Sequence, residues 1–229
     1  STRYMFLFKG AEYLLPFLGA SSGMLIAFWT KPKTPKGLQL ILSFSGSFLL
    51  GITIFHLLPE VYSTQNKNIG LYIVGGLLLQ LLLEFISQGV EHGHIHSNNS
   101  FPYTILISLS IHAFIEGFPL SQNNTLVWGI FVHKIPIGMV LIFLVWKNIF
   151  SNYTKIIFLA LFTFITPLGT YFITHFKGFS QNVIPLLALI IGMLLHISTT
   201  ILFESNRGHR FNLHKLISIL SGLGIAYLL

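Results

Sequence analysis

Two histidines and a glutamate stand inside otherwise apolar stretches of this sequence. His112 and Glu116 lie four residues apart in "SIHAFIEGFPL" (110–120), and His133 lies in "FVHKIPIGMVL" (131–141). Residues four apart on a helix share one face about 6 Å apart, so His112 and Glu116 are predicted to point at one spot. Imidazole nitrogens and a carboxylate oxygen are ligands that zinc and similar divalent cations accept. The three residues therefore predict a cation site.

The spacing along the chain supports a common depth for the three side chains. The turn between the two stretches centres near residue 123, so an antiparallel pair of helices would bring His133 level with about residue 114. The offset from His133 to His112 or to Glu116 is then about two residues, or roughly 3 Å at helical rise. A single histidine would be better explained as part of a polar seam between packed helices. Three ionisable residues at one depth favour a metal site.

Lys134 and two prolines accompany these residues. The ammonium of Lys134 either neutralises Glu116 or takes the place of a second metal ion, and the sequence leaves both interpretations open. Pro119 and Pro136 interrupt the helical hydrogen-bond ladder, so we expect backbone carbonyls to be freed near the site.

The composition indicates a membrane protein. Of 229 residues, 53% are hydrophobic and 8% are charged, whereas a soluble domain carries about 25% charged residues. We therefore predict an all-α, polytopic integral membrane protein surrounded by lipid. The 13 Lys and Arg residues are scattered singly, which argues against a nucleic-acid partner. The absence of cysteine excludes disulfides, cysteine metal sites and thiol catalysis.

The apolar runs predict eight transmembrane helices in a single transmembrane domain, 1–229. Spanning the hydrocarbon core takes roughly 20 mostly apolar residues. Short polar breaks divide the chain into helices at about 11–30, 38–59, 69–90, 101–121, 125–146, 155–176, 183–204 and 212–229. Because the breaks are short, consecutive helices are expected to be antiparallel neighbours.

The distribution of positive charge predicts the orientation. The breaks after the first, third, fifth and seventh helices hold eight Lys and Arg residues, and the opposite face holds four. By the positive-inside rule both termini are predicted to face outward from the cytoplasmic membrane. The His-rich segment 91–100 is then a cytoplasmic loop, in which His92, His94 and His96 could capture metal.

The ordered motifs resemble those of the ZIP (Zrt/Irt-like) family of divalent-metal transporters. "HAFIEG" (112–117) and "HKIPIG" (133–138) are similar to the paired H-N-x-P-E-G signatures of that family. "FSGSFLLGITIFHLLPE" (44–60) resembles the family's second helix, and "TPLGTYF" (166–172) resembles its E-P-L-G segment. The resemblance implies a ZIP-like bundle of eight helices, a homodimer, and transport-site ligands at His112, Glu116 and His133.

The chain also departs from that family at positions that often bind metal. Ala113 stands where the family often has Asn, Lys134 where it has Asn or Asp, and Ile137 and Thr166 where it has Glu. The resemblance therefore implies a mononuclear site, with Lys134 as the substitute for the second cation.

Other polar residues are predicted to line an access path to the site. These are His56, Glu60, His196 and Glu204. Glu84 lies near a predicted helix end, and the sequence assigns it no role.

The first hypothesis is transport of a divalent cation into the cytoplasm, with Zn²⁺ preferred and Fe²⁺, Mn²⁺ and Co²⁺ left open. The protein would then be a carrier and not an enzyme, with the metal as its substrate and no resident cofactor. One alternative is a membrane sensor that binds metal without transport. Another is an intramembrane zinc-dependent hydrolase, in which His112 and His133 hold the metal and Glu116 is the general base. The absence of an H-E-x-x-H motif argues against the hydrolase.

Overall fold

The computed structural model describes residues 9–30, 35–87, 103–146, 151–176, 183–204 and 213–229. These residues are helical apart from short turns, and among them there is no strand, so the all-α prediction is confirmed for this part of the chain. Helix α1 is Ala11–Thr30. Helix α2 runs through Pro35–Ile52, a π-helical turn at Thr53–Leu57, and Leu58–Ser63. The remaining helices are α3 (Ile69–Ser87), α4 (Tyr103–Glu116), α5 (Asn124–Trp146), α6 (Asn152–His175), α7 (Val183–Glu204) and α8 (Leu213–Leu228).

Six of the described helices are long and apolar enough to cross a membrane, namely α1, α2, α3, α5, α6 and α7. Helices α4 and α8 are apolar but shorter, with 14 and 16 residues. Large apolar side chains point away from the bundle, and Leu71 and Phe85 of α3 are 71% and 83% exposed. Such a surface is unfavourable in water and suits hydrocarbon. These features indicate a membrane protein, and six of the eight predicted positions hold helices long and apolar enough to span a membrane.

Helix α4 ends earlier than the predicted span of 101–121 because Gly117 and Pro119 follow Glu116. Pro119 has no N–H to continue the helical ladder. The chain instead forms tight turns, in which Leu120 N donates to Gly117 O (3.3 Å) and Gln122 N donates to Pro119 O (3.1 Å). Glu116 is therefore the last residue of α4, and α5 begins soon afterwards.

The most extensive helix packing joins helices that are not consecutive: α1 with α5, α3 with α7, and α2 with α8. Among consecutive helices, α3 packs on α4 and α5 contacts α6, so the expectation that consecutive helices are neighbours holds only in part. Small residues explain the close approach of α1 to α5. A Cβ at Gly19 would lie 2.5 Å from the carbonyl oxygen of Phe131, and one at Gly23 would collide with the carbonyl of Ile135. The matching order of these residues means that α1 and α5 run parallel.

The helices form two packed groups. Helix α6 packs on α1, α4 and α5, helix α1 packs on α5, and these four helices contribute all members of one buried apolar cluster. We call them the first helix group. Helices α2, α3, α7 and α8 form the second helix group, which contributes most of another cluster. The groups meet where α2 contacts α5 and where α3 contacts α4.

Candidate metal centre

The three predicted ligands converge between the two helix groups. Nε2 of His112 lies 2.8 Å from Oε1 of Glu116, and Nε2 of His133 lies 3.8 Å from the same oxygen. One ligand atom from each residue lies within 4.8 Å of the other two. Atoms bound at about 2.0–2.2 Å to one zinc ion are at most about 4.4 Å apart, so small side-chain rotations suffice to place a cation among them. In the described part of the chain, this is the cluster of His and Glu residues that could hold a metal.

All three side chains are buried. The exposed fractions are 3% for His112, 0% for Glu116 and 1% for His133. The rings of His112 and His133 are almost perpendicular, at 77°, with centroids 6.4 Å apart. The distance of 2.8 Å between His112 Nε2 and Glu116 Oε1 is that of a hydrogen bond. A cation bound to both atoms would take the place of this contact.

Lys134 contributes a buried ammonium to the same site. Its Nζ contacts Oε2 of Glu116, and the side chain is 2% exposed. Nζ also lies 5.8 Å from the ring centroid of Phe162. The carboxylate of Glu116 is therefore shared, with one oxygen facing the histidines and the other facing a fixed positive charge. This contact is common to both interpretations of Lys134.

Two backbone carbonyls near the site that lack their usual helical partner are faced by hydroxyl groups. Pro136 cannot donate to Val132 O one turn earlier, and Ser45 Oγ of α2 lies 3.5 Å from that oxygen. After α4 ends, Gly117 O accepts a hydrogen bond of 2.8 Å from Thr170 Oγ1 of α6. Pro136 thus frees a carbonyl near the site as predicted, whereas the carbonyl opposite Pro119, Ile115 O, accepts a hydrogen bond of 3.1 Å from Phe118 N.

Three positions at which the sequence departs from the ZIP-family pattern are buried and apolar or weakly polar. Ile137 is 4% exposed, Thr166 is 3% exposed and Ala113 is fully buried. Each of them adds no charge to the site. Glu116 is the one carboxylate of the candidate metal centre among the described residues.

Gln80 of α3 completes the surroundings of His112, and the sequence analysis missed it. Its Oε1 lies 2.8 Å from His112 Nδ1, and the side chain is fully buried. An amide oxygen only accepts hydrogen bonds, so Nδ1 of His112 is the donor. The available signal was a polar residue within the apolar run "LLLQLLLE" (77–84).

Two of the predicted access-path residues, His56 and Glu60, lie on the last part of α2. His56 belongs to the π-helical turn, and its Nε2 lies 2.8 Å from the carbonyl oxygen of Ala226 in α8. Glu60 accepts a hydrogen bond of 2.6 Å from Asn123, whose own Oδ1 caps the start of α5. Both residues therefore connect helix ends, and their place on an access path stays a prediction.

His196 of α7 is paired with Glu84 of α3, the residue to which the sequence assigned no role. The contact joins His196 Nε2 to Glu84 Oε2, and the side chains are 16% and 20% exposed. Glu84 lies one helical turn after Gln80, which is the signal that could have identified it. Glu204 is the last residue of α7. The surroundings of its side chain and the predicted loop residues His92, His94 and His96 lie outside the described residues.

The chain matches no protein-family model and no curated protein. The candidate metal centre is accordingly assigned from the chemistry and geometry of the chain's own side chains.

Proposed function

We propose that the protein carries divalent metal cations, with Zn²⁺ as the preferred substrate, across the cytoplasmic membrane into the cytoplasm. The observation that supports this best is the convergence of two imidazoles and one carboxylate, all buried, between apolar helices. Ionisable residues are costly in a membrane and persist mainly where they are paired or functional. Two imidazoles suit Zn²⁺ better than Mg²⁺ or Ca²⁺, while Fe²⁺, Mn²⁺ and Co²⁺ remain alternative substrates.

The grouping of helices supports a carrier mechanism. His112, Glu116 and His133 all belong to the first helix group, on α4 and α5. A cation that enters from outside loses water and binds these three side chains. Movement of the first helix group against the second then opens the site to the cytoplasm. Ligands on one group travel together, so the coordination geometry is kept during the movement.

The resemblance to the ZIP family supports the direction of transport and the topology. The proposal accordingly includes eight spans, with α4 and α8 as the short ones, both termini outside and a homodimer. Within it, Lys134 provides the positive charge that a second metal ion would otherwise supply. The site then holds one metal ion at a time, because the ammonium already contacts the second oxygen of Glu116.

A second candidate function is metal sensing without transport. The contact between Lys134 and Glu116 favours it, because a site with one shared carboxylate gains two uncompensated charges when a divalent cation binds. Such a protein would bind metal at equilibrium and show no flux. Uptake measurements therefore separate the two functions.

The binding step is tested with purified protein in detergent. Zn²⁺ affinity is measured for the wild type and for His112→Ala, Glu116→Ala and His133→Ala. Loss of a residue that supports a metal ligand lowers affinity by about 10- to 100-fold. Loss of a ligand itself should lower the Zn²⁺ affinity of each variant by more than that. His175→Ala is the matched control, because His175 is exposed at the end of α6 and stacks on Tyr171. Equal affinity in all five proteins would refute the assignment of the site.

A further inference from the structure

We infer that Gln80 is a positioning residue for metal binding. It holds His112 in the tautomer and orientation that a metal ligand requires, and it belongs to the opposite helix group. The inference rests on the proposed function. Gln80 belongs to α3 of the second helix group, whereas His112 belongs to α4 of the first. The hydrogen bond of 2.8 Å between His112 Nδ1 and Gln80 Oε1 therefore crosses the boundary between the groups.

The chemistry of the two side chains fixes the tautomer. Because the amide oxygen accepts, the hydrogen stays on Nδ1 of His112, and Nε2 is the atom left for a cation. Nε2 is also the atom that faces Glu116 Oε1, at 2.8 Å. A metal-binding histidine commonly donates its other ring N–H to an oxygen, which orients the ring and increases the basicity of the ligand nitrogen. Gln80 occupies that place here.

Burial makes the contact specific. Gln80 is 0% exposed and His112 is 3% exposed, so water is not at hand to replace the amide oxygen. A histidine without a fixed partner for Nδ1 exchanges its hydrogen between the two nitrogens and rotates about its side-chain bonds. Either change removes Nε2 from the position beside Glu116.

The location of Gln80 also links affinity to the relative position of the helix groups. Full affinity requires the arrangement in which α3 lies against α4, as in this structure. When the first helix group moves, the hydrogen bond to Gln80 is lost and His112 becomes a weaker ligand. Gln80 thus favours tight binding before the movement and release of the metal after it.

The test compares Zn²⁺ affinity in the wild type, Gln80→Met, Gln80→Glu and Ser108→Ala. Methionine matches glutamine in length but offers Nδ1–H only a weak sulfur acceptor, so affinity should fall by about 10- to 100-fold. Glutamate retains an acceptor and adds a negative charge, so affinity should equal or exceed that of the wild type. Ser108→Ala is the control. Ser108 Oγ of α4 donates a hydrogen bond of 2.6 Å to Leu83 O of α3, across the same helix contact but without touching the site. Its affinity should equal that of the wild type.

Further readouts separate positioning from a general structural role. In protein labelled with ¹⁵N-histidine, the His112 signals should report hydrogen on Nδ1 in the zinc-bound wild type and a mixture of tautomers in Gln80→Met. In uptake assays, the KM of Gln80→Met should rise while its maximal rate is retained. If Gln80→Met does not fold, Gln80→Asn replaces it, because the shorter amide does not reach Nδ1 and should lower affinity in the same way.

The outcomes distinguish this inference from the proposed function. If Gln80→Met binds Zn²⁺ as tightly as the wild type does, the inference is overturned and the proposed function is left intact. Equal losses in Gln80→Met and Ser108→Ala also overturn it, because they indicate a weakened helix contact. A wild type that binds no divalent metal overturns the proposed function, and the inference with it.

Discussion

Glu116 is the residue on which the chemistry of the site depends. Its two carboxylate oxygens serve different neighbours, since Oε1 faces His112 and His133 and Oε2 contacts Lys134. Removing the partner of a buried charged group destabilises a protein by about 3–5 kcal/mol, because the remaining charge is buried without compensation. Lys134 therefore stabilises the metal-free protein, and by the same charge it opposes a bound cation.

Replacing Lys134 should separate these two effects. In Lys134→Met the ammonium is lost while the length of the side chain is kept. Zn²⁺ affinity should rise by about tenfold, because the repulsion between the ammonium and the cation disappears. The melting temperature of the metal-free protein should fall, and added Zn²⁺ should restore it, since a ligand of the folded state stabilises that state. Calorimetric titration and thermal unfolding measure the two quantities.

The control for this variant is Lys67→Met, because Lys67 is exposed in the turn between α2 and α3. It removes the same charge outside the site and should change neither quantity. A loss of zinc affinity in Lys134→Met would contradict the role given to the ammonium, and would indicate that Lys134 holds Glu116 in place for the metal.

At the scale of helices, the contact between α1 and α5 positions His133 and Lys134. Gly19, Ala20, Gly23 and Ala27 are buried on one face of α1 and allow the two backbones to approach closely. Gly138 of α5 takes part in the same contact, because a Cβ there would lie 3.0 Å from Met24 N. Small residues therefore determine how near α1 comes to the ligand-bearing helix.

Gly23→Ala should destabilise the protein by about 1–3 kcal/mol, the usual cost of overpacking a close contact. The added methyl group would collide with the carbonyl of Ile135, which is rigid backbone. Displacement of α5 should also weaken zinc binding, because His133 precedes Ile135 by two residues. Unfolding and zinc titration of the variant measure both effects.

Gly75→Ala is the matched control within α3. A Cβ at Gly75 meets no atom within 4 Å, and alanine is the better helix former by about 1 kcal/mol. This variant should be as stable as the wild type or slightly more so. If Gly23→Ala behaved like Gly75→Ala, the close packing of α1 on α5 would not be needed for the site.

At the scale of the whole molecule, the arrangement of two helix groups should permit movement between them. The carrier mechanism requires that movement, and a covalent link between the groups should stop it. Gly129 of α5 and Ile52 of α2 face each other across the boundary, since a Cβ at Gly129 would lie 3.2 Å from Ile52 Cδ1. Ile52 Cγ2, which is one bond from Ile52 Cβ, would lie 3.7 Å from a Cβ at Gly129, so these two positions are chosen for a cysteine pair. The chain has no native cysteine to interfere.

The cross-linked pair Ile52→Cys with Gly129→Cys should bind Zn²⁺ and show little uptake until a reductant is added. The control is Gly46→Cys with Ile201→Cys, a link between α2 and α7 inside the second helix group, where a Cβ at Gly46 would lie 3.2 Å from Ile201 Cβ. Uptake by this control should not depend on reductant. Full uptake by the oxidised Ile52–Gly129 pair would contradict movement between the groups.

The sequence was sufficient to predict the helical class, most helix limits and the cluster of His112, Glu116 and His133. These features depend on local patterns: apolar runs, helical spacing and the short turn between α4 and α5. The residues that were missed depend on long-range packing. Gln80 reaches His112 only because α3 packs on α4, and Glu84 reaches His196 only because α3 packs on α7.

Helix pairing was predicted only in part, for a related reason. Short connections predict that consecutive helices are neighbours, but the glycines of α1, α2, α7 and α8 favour closer contacts with helices far away in sequence. For example, a Cβ at Gly222 of α8 would lie 2.6 Å from Phe44 O of α2. Lipid supplies no hydrophobic driving force between helices, so close packing of small residues contributes most to helix association in a membrane. Such packing therefore decides which helices pair, whatever their separation along the chain.

The most direct test of a metal carrier at this site is uptake of ⁶⁵Zn²⁺ into proteoliposomes. Wild type, His112→Ala and Glu116→Ala are compared, with His175→Ala as the control and with equal amounts of folded protein in each preparation. We expect uptake by the wild type and the control, and loss of uptake in both site variants. Zinc binding by the wild type without uptake would contradict transport and support sensing, and unchanged uptake in the site variants would contradict the site itself.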